Sequence, residues 1–224
     1  MAKGSLADRL YEKVANDEDA RTCSDISEDA CREVPGNFFR IIFANTLTKV
    51  GDLLINPKTV LAWLISAVGA PGALAGLLVP IRESGSLIPQ LLIGALVRRY
   101  PVRKGFWVLG SALQGLSVLG MALVVWLLEG LAAGLGIVGL LVVFSVSRGF
   151  CSVAMKDVQG KCVPKSRRGR LTGLSATLSG ALTFALTLLV FSNDSDPSML
   201  FYTALLAGAG VAWLAAALVF LRVD

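Results

Sequence analysis

Four long stretches without a charged residue constrain this chain more than any other feature of its sequence. They cover residues 105–128, 130–147, 171–193 and 197–221. An α-helix rises about 1.5 Å per residue, so roughly 20 apolar residues cross the hydrocarbon core of a bilayer. With 54% hydrophobic residues and a mean hydropathy of +0.68, the chain is also too apolar for a soluble domain. These features predict an all-α, polytopic membrane protein.

The charges between these stretches alternate in sign from one turn to the next. Basic residues cluster before the first and the third stretch, whereas the turns after the first and the third carry only acids, Glu129 and then Asp194 and Asp196. Basic residues remain on the cytoplasmic side of a membrane. The pattern therefore predicts an integral, multi-pass protein of the plasma (inner) membrane with a cytoplasmic N-terminus.

The number of spans before Arg98 has two solutions. Residues 59–81 form the most apolar window, but a span there leaves only residues 84–97, which are too few to cross again. The other solution has a first span at 38–56, a lateral segment at 58–70 and a second span at 73–97. It brings charges to mid-bilayer, where each costs roughly 2.5–3.5 kcal/mol. We favour it because an even number of spans keeps the N-terminus cytoplasmic.

Residues 1–37 are then predicted to form a cytosolic N-terminal segment that contains a short amphipathic helix and ends at Pro35-Gly36. A six-helix transmembrane domain follows over residues 38–224. Its expected spans are about 38–56, 73–97, 105–128, 131–154, 171–192 and 198–222.

Polar side chains recur at helical spacing on several of these spans. The candidate solute or ion pathway consists of Asn45, Lys49, Asp52, Arg82, Glu83, Gln90 and Arg148. We expect Lys49 and Asp52 to meet Glu83 and Arg82. Such charges either form a buried ion-pair network that fixes helix register or line a polar cavity. Small residues are expected at helix contacts, namely Gly115, Gly120, Gly134, Gly136, Gly173 and Gly180.

Several chemistries are not expected from this sequence. Histidine is absent, and no phosphate-binding loop or nucleophile elbow is present. The four cysteines lack Cys-x-x-Cys spacing and are interpreted as free thiols. We therefore expect no enzymatic activity, no metal site, no cofactor and no nucleic-acid partner.

Three segments resemble the major facilitator superfamily. Residues 94–104 resemble the loop between helices two and three, which Gly94, Leu96, Arg99 and Lys104 match approximately, and Arg103 is a further candidate residue of this loop. Arg148 resembles an arginine within helix four of that family. Residues 164–170, ending in Arg168-Gly169-Arg170, resemble the loop before helix five. The family's loop aspartate falls on Arg98 and its glycine on Pro101, so the charge network around that loop differs here.

The resemblance implies the N-terminal six-helix half of a secondary active transporter, a permease acting as symporter or antiporter. It would move a small solute by alternating access, with or without proton coupling. Glu83 or Asp52 would carry the proton, Arg148 and Lys49 would attract an anionic group or balance the acids, and Asn45 and Gln90 would bind the solute. Expected partners are the lipid bilayer, the solute and a second six-helix half, as a separate chain, a missing C-terminal half or a homodimer. The alternative is a non-transporting membrane subunit or a truncated remnant acting as a helical scaffold.

Overall fold

The computed structural model describes residues 6–15, 28–97, 103–191 and 198–223, and the regular secondary structure among them is helical. The helices are α1 (Leu6–Ala15), α2 (Glu28–Leu54), α3 (Val60–Ala67), α4 (Gly72–Val97), α5 (Lys104–Leu127), α6 (Gly130–Cys162), α7 (Lys165–Phe191) and α8 (Met199–Phe220). The predicted all-α class is therefore confirmed for these residues.

Four helices are long and apolar enough to cross a bilayer, judged by length and composition. They are Lys104–Leu127, Gly130–Cys162, Lys165–Leu188 and Met199–Phe220. These helices contain most of the four uncharged stretches, and they support a membrane protein. Helices α2 and α4 have 27 and 26 residues, but they are not among these four.

The short helix α3 lies between α2 and α4, within the interval predicted for a lateral segment. Helix α2 ends at Leu54, just before Asn56-Pro57, because the residue before a proline disfavours helical geometry. With eight residues and a length of about 12 Å, α3 is too short to span a bilayer. Three of its side chains are fully buried against the bundle: Leu61, Leu64 and Ile65. The Val68 carbonyl beyond it accepts a hydrogen bond from the Gly130 N–H at 2.7 Å, so α3 closes the end of the bundle where α6 begins.

The long helices pack in a pattern that relates the first three to the last three. Helix α2 packs on α7 and α8, helix α6 packs on α4 and α5, and α5 packs on α8. Exchanging α2 with α6, α4 with α7 and α5 with α8 reproduces the same set of pairs. The bundle therefore consists of two three-helix units with equivalent neighbours.

Glycines allow the closest helix approaches in this bundle. A Cβ atom on Gly115 of α5 would lie 2.9 Å from the carbonyl oxygen of Gly210 on α8. The predicted packing role is confirmed for Gly115, Gly120, Gly134 and Gly136. A Cβ atom on each of them would lie within 3.4 Å of an atom outside its own helix. It is wrong for Gly173 and Gly180, which face open space on α7.

Helix α2 begins earlier than the sequence predicts. The expected break at Pro35-Gly36 is absent, and the helix continues from Glu28 through Pro35. A proline inside a helix costs about 3 kcal/mol. Tertiary packing offsets that cost here, because Val34 and Phe38 are buried and the Tyr11 ring of α1 lies edge-on to Phe38 at 5.3 Å.

The prediction that all four cysteines are free thiols is wrong for Cys31, which is disulfide-bonded. Cys151 and Cys162 are free, as predicted. The absence of Cys-x-x-Cys spacing was a weak argument, because a disulfide requires proximity in space rather than a short separation in sequence. Cys23 lies outside the described residues.

Candidate functional site

Two arginine side chains, from two different helices, meet on one carboxylate oxygen of a third helix. Arg82 Nη2 on α4 lies 2.7 Å from Asp52 Oδ1 on α2. Arg148 Nη1 on α6 lies 2.5 Å from the same oxygen. The predicted pairing of Asp52 with Arg82 is confirmed. That Arg148 shares this oxygen was not predicted, although its place among the polar residues of α6 pointed to an inward face.

One aromatic ring lies against the buried arginine of this cluster. The Arg82 residue is only 8% exposed, and its guanidinium carbon lies 5.2 Å from the centre of the Phe144 ring. Phe144 is fully buried and lies edge-on to Trp213 at 5.1 Å. A cation over an aromatic face is attracted by the ring quadrupole, so the ring replaces part of the hydration that Arg82 loses.

Two glycines bring the helices together beside the cluster. A Cβ atom on Gly85 would lie 2.8 Å from the Ser145 Cβ, and one on Gly51 would lie 2.8 Å from the Trp213 ring. Gly85 therefore sets the close approach of α4 to α6, and Gly51 that of α2 to α8. Gly51 is adjacent to Asp52, and Gly85 is three residues from Arg82. The helices therefore approach each other closely beside the charged cluster.

One donor of the cluster has no partner among the residues that the structure describes. The Nη1 atom of Arg82 is buried and makes no hydrogen bond to any of them. Guanidinium groups offer five N–H donors, and a buried donor without an acceptor costs about 1–3 kcal/mol or more. Arg148 is more accessible, with a side chain that is 39% exposed. The cluster thus combines a buried, unsatisfied donor with a second cation that solvent can reach.

The other predicted pathway residues lie around this cluster without joining it. The expected pairing of Lys49 with Glu83 is wrong: both are exposed, and among the described residues they form no ion pair within 4.0 Å. The Glu83 carboxylate still interacts through its charge with both arginines. Asn45 and Gln90 are half-buried. Lys49 and Glu83 belong to helix faces that were predicted to be polar, but both side chains are exposed and those faces do not meet each other.

The hydroxyl stripes of α5 and α7 have different surroundings. On α5, Ser111 donates to the Trp213 carbonyl of α8 at 3.1 Å, and Gln114 donates to Cys151 Sγ of α6 at 3.2 Å. On α7, Thr172 donates back to the carbonyl of residue 168, four positions earlier, at 2.9 Å. On α5, Ser111 and Gln114 therefore bond to neighbouring helices, whereas Ser117 donates to the Leu113 carbonyl of its own helix, as Thr172 does to its own helix on α7.

A second ion-pair cluster holds the end of the bundle where α1 lies. Asp157 of α6 pairs with Arg103, which precedes α5, and with Lys161 at 3.2 Å. The Arg103 contact links the segment before α5 to helix α6. Sequence patterns did not predict it, because Arg103 was one of several bases in a cluster that indicated only orientation.

The remaining predicted loop residues mostly hold the backbone at this end. Lys104 Nζ donates to the Val223 carbonyl at 2.8 Å. Arg168 donates to the carbonyls of Val163 and Gly160 at 3.0 and 2.7 Å, and so satisfies the last turn of α6. Gly94 is half-buried, Gly169 and Arg170 are exposed, and Arg99 lies outside the described residues.

An apolar groove of about 710 Å³ lies between α2 and α7, away from the charge cluster. It is lined mainly by aliphatic and aromatic side chains such as Phe39, Phe43 and Leu182. Asp52, Arg82 and Arg148 do not line it. The groove is therefore not the polar pathway predicted from the sequence.

Among the described residues, no group of three or more His, Cys, Asp or Glu side chains could hold a metal ion. The chemistry available at the cluster is consequently ionic and hydrogen-bonding. Comparisons with protein-family models, with curated proteins and with solved structures found no match to this chain.

Proposed function

We propose that this chain is a six-helix transport domain that moves a small solute across a membrane by alternating access. The observation that carries the proposal is the meeting of Asp52, Arg82 and Arg148 from three different helices within an apolar bundle. Ionisable residues inside membrane bundles are costly and mark substrate or ion pathways. On this proposal α2 and α4 cross the membrane together with the four apolar helices.

The packing pattern supports the same proposal. Two three-helix units with exchangeable neighbours are what an internal repeat produces, and such repeats build each half of major facilitator superfamily transporters. The chain would then act as an MFS-like half. Its solute site would lie where the two units meet, and Asp52 of the first unit contacts Arg148 of the second.

A second six-helix half fits the exposed faces of α4 and α7. Both helices expose polar or small residues, such as Glu83 and Ser84 on α4 and Thr177 and Gly180 on α7. Charged and hydroxyl groups are unfavourable against lipid tails and favourable at helix interfaces or water-filled cavities. The partner half would be another segment of a longer protein, a separate chain or a second copy of this one.

Two features bear on orientation, and they favour opposite sides. Basic residues such as Arg103, Lys104 and Lys161 concentrate at the α1 end, which favours the cytoplasm of the plasma (inner) membrane. The disulfide at Cys31 favours an oxidising compartment. We give priority to the basic residues because they are numerous and flank several helices. Labelling with a membrane-impermeant maleimide after reduction tests this: Cys31 should react only in inverted vesicles.

Glu83 is our candidate for the coupling proton, because it is exposed and interacts electrostatically with both arginines. The test is uptake of labelled glucose, glycine, lactate and phosphate by proteoliposomes containing the purified chain, with and without a pH gradient. Glu83→Gln should abolish uphill uptake but retain exchange. Glu129→Gln, at an exposed turn, is the matched control and should behave like the wild type.

Two results would count against this mechanism. Full proton-driven uptake by Glu83→Gln would remove Glu83 from it. Absence of uptake by the chain, both alone and together with a second half, would favour the scaffold alternative. In that alternative the three-helix ion cluster only holds α2, α4 and α6 in register.

A further inference from the structure

We propose that the solute is a small organic monoanion whose oxyanion group binds between Arg82 and Arg148. This rests on the proposed transport function and specifies its substrate class. The structure offers two guanidinium groups that meet at one carboxylate oxygen. Guanidinium groups bind carboxylate and phosphate oxygens with short, charge-assisted hydrogen bonds.

The unsatisfied donor is the first argument for an anion. The Arg82 side chain is 9% exposed, and its Nη1 atom is buried without a hydrogen-bond partner. Its Nη2 atom is already used by Asp52. An acceptor supplied by the solute would complete this guanidinium, whereas a neutral solute with only donor groups would leave it unsatisfied.

Accessibility of the second arginine is the next argument. Arg148 has a side chain that is 39% exposed although it contacts Asp52. An incoming anion can therefore reach Arg148 first. The Nη1 atom of Arg82 is buried, so the anion contacts it only after the helices around it move; Asp52 need not leave, because it bonds to Nη2.

The charges of the cluster set the valence of the ligand. Arg82, Arg148 and Cys151 face the site from α4 and α6, and Asp52 and Glu83 are the acids that act on the arginines. With both acids ionised and the thiol neutral, two positive and two negative charges cancel. With the Glu83 charge removed, as in Glu83→Gln, a single positive charge remains, which one monoanion neutralises.

Binding is measured as stabilisation of the detergent-solubilised chain against heat, so that it does not depend on transport. The probes are sodium benzoate and lactate, their neutral analogues benzamide and lactamide, and methyl phosphate as the alternative oxyanion. Both acids should stabilise the wild type more than their amides do. Preference for methyl phosphate over the carboxylates would support the same site with a phosphate ligand.

Three variants test the site. Arg148→Gln should weaken anion binding at least about tenfold, because it removes a charged hydrogen-bond donor. Arg40→Gln, on α2 about 18 Å along the helix from Asp52, is the matched control and should bind like the wild type. Glu83→Gln should bind the anions more tightly than the wild type, because it removes a negative charge that acts on both arginines. This last variant distinguishes a binding role from a merely structural one.

The outcomes separate the two proposals. Equal stabilisation by acids and amides, no stabilisation by any anion, or unchanged anion binding in Arg148→Gln would overturn the anion site. Uptake of a neutral solute would leave transport intact while rejecting this substrate class. Selective anion binding without uptake in proteoliposomes would support the anion site and count against the transport function.

Discussion

Helices α5 and α7 are similar in length and apolar character, but they have opposite environments in the bundle. Half of the apolar window of α5 is buried inside the protein, against 17% for α7. The side chains that α5 exposes are apolar, such as Leu116 and Leu123. Those that α7 exposes include Thr177 and Gly180 beside leucines. Helix α5 thus exposes an apolar face, whereas α7 exposes a face that mixes hydroxyl, small and apolar residues.

This difference shows that apolar composition does not reveal what covers a membrane helix. One hydroxyl group of α5, that of Ser111, bonds to α8. Gly110, Gly115 and Gly120 of α5 face neighbouring backbone or side chains, whereas the glycines of α7 face open space. Paired substitutions in the two regions can break or sharpen the comparison, and they are ordered below by expected effect.

The largest contrast should come from two phenylalanines. Phe144 is fully buried on α6, and Phe184 on α7 is 66% exposed. Phe144→Ala should lower the free energy of unfolding by about 3–5 kcal/mol, because it leaves a cavity beside Arg82. Phe184→Ala should change it by less than about 0.5 kcal/mol. Unfolding titrations in detergent micelles measure both, and equal losses would refute the assignment of α7 as an open face.

A smaller contrast is expected between two glycines. Gly115→Ala places a Cβ atom 2.9 Å from the Gly210 carbonyl oxygen, and backbone cannot move aside as a flexible side chain does. It should destabilise the chain by about 1–3 kcal/mol. Gly180→Ala meets nothing within 4 Å and should be neutral or stabilising by up to about 1 kcal/mol, since alanine favours helix. Destabilisation by Gly180→Ala in the isolated chain would contradict the open face.

Two hydroxyl groups give a weaker contrast. Ser111→Ala removes an interhelical hydrogen bond and leaves the Trp213 carbonyl with one acceptor bond fewer, so a loss of about 1 kcal/mol is expected. Thr177 donates to the carbonyl of Gly173 within its own helix, and Thr177→Ala should be close to neutral. The same unfolding titrations compare them, and a larger loss for Thr177→Ala would reverse the assignment.

The smallest effect concerns the pH dependence of stability that arises from Tyr11 of α1, near the start of α7. Burial raises the pKa of Tyr11 above its ordinary value of 10.0, and nearby Arg167 of α7 opposes this shift. The folded state holds the phenol proton more tightly than the unfolded state, so the docking of α1 is fully stabilised below the unfolded pKa. That stabilisation is lost as pH rises through the folded pKa. Tyr11→Phe should remove this alkaline dependence in pH-resolved thermal unfolding.

The sequence predicted the helices much better than their contacts. Uncharged stretches located α5 to α8 because hydrocarbon thickness sets a length that apolar residues must match. The pairing of Asp52 with Arg82 followed from a count of spans and the cost of a lone buried charge. The pairing of Lys49 with Glu83 failed because exposure removes that cost, and helical spacing alone does not say which faces meet solvent.

Other features depended on three-dimensional proximity that no local pattern encodes. The contact of Arg148 with Asp52 joins residues 96 positions apart, and Arg103 meets Asp157 over 54 positions. Helix α2 continues through Pro35 because Phe38 and Val34 find partners in distant helices. The glycines of α5 and α7 look alike in sequence, and only the packing of α5 against α6 and α8 distinguishes them.

The shared oxygen atom of Asp52 has a mechanical consequence. Arg82 of α4 and Arg148 of α6 both donate to the Oδ1 atom of Asp52 on α2. Helix α2 therefore cannot slide along its axis while keeping both hydrogen bonds at 2.7 and 2.5 Å. Helix shifts in working proteins are typically about 1–2 Å, and hydrogen bonds weaken steeply beyond about 3.5 Å. A slide of that size in either direction would keep the hydrogen bond of Asp52 to one arginine and break its hydrogen bond to the other. Asp52 would then behave as a latch with two resting positions.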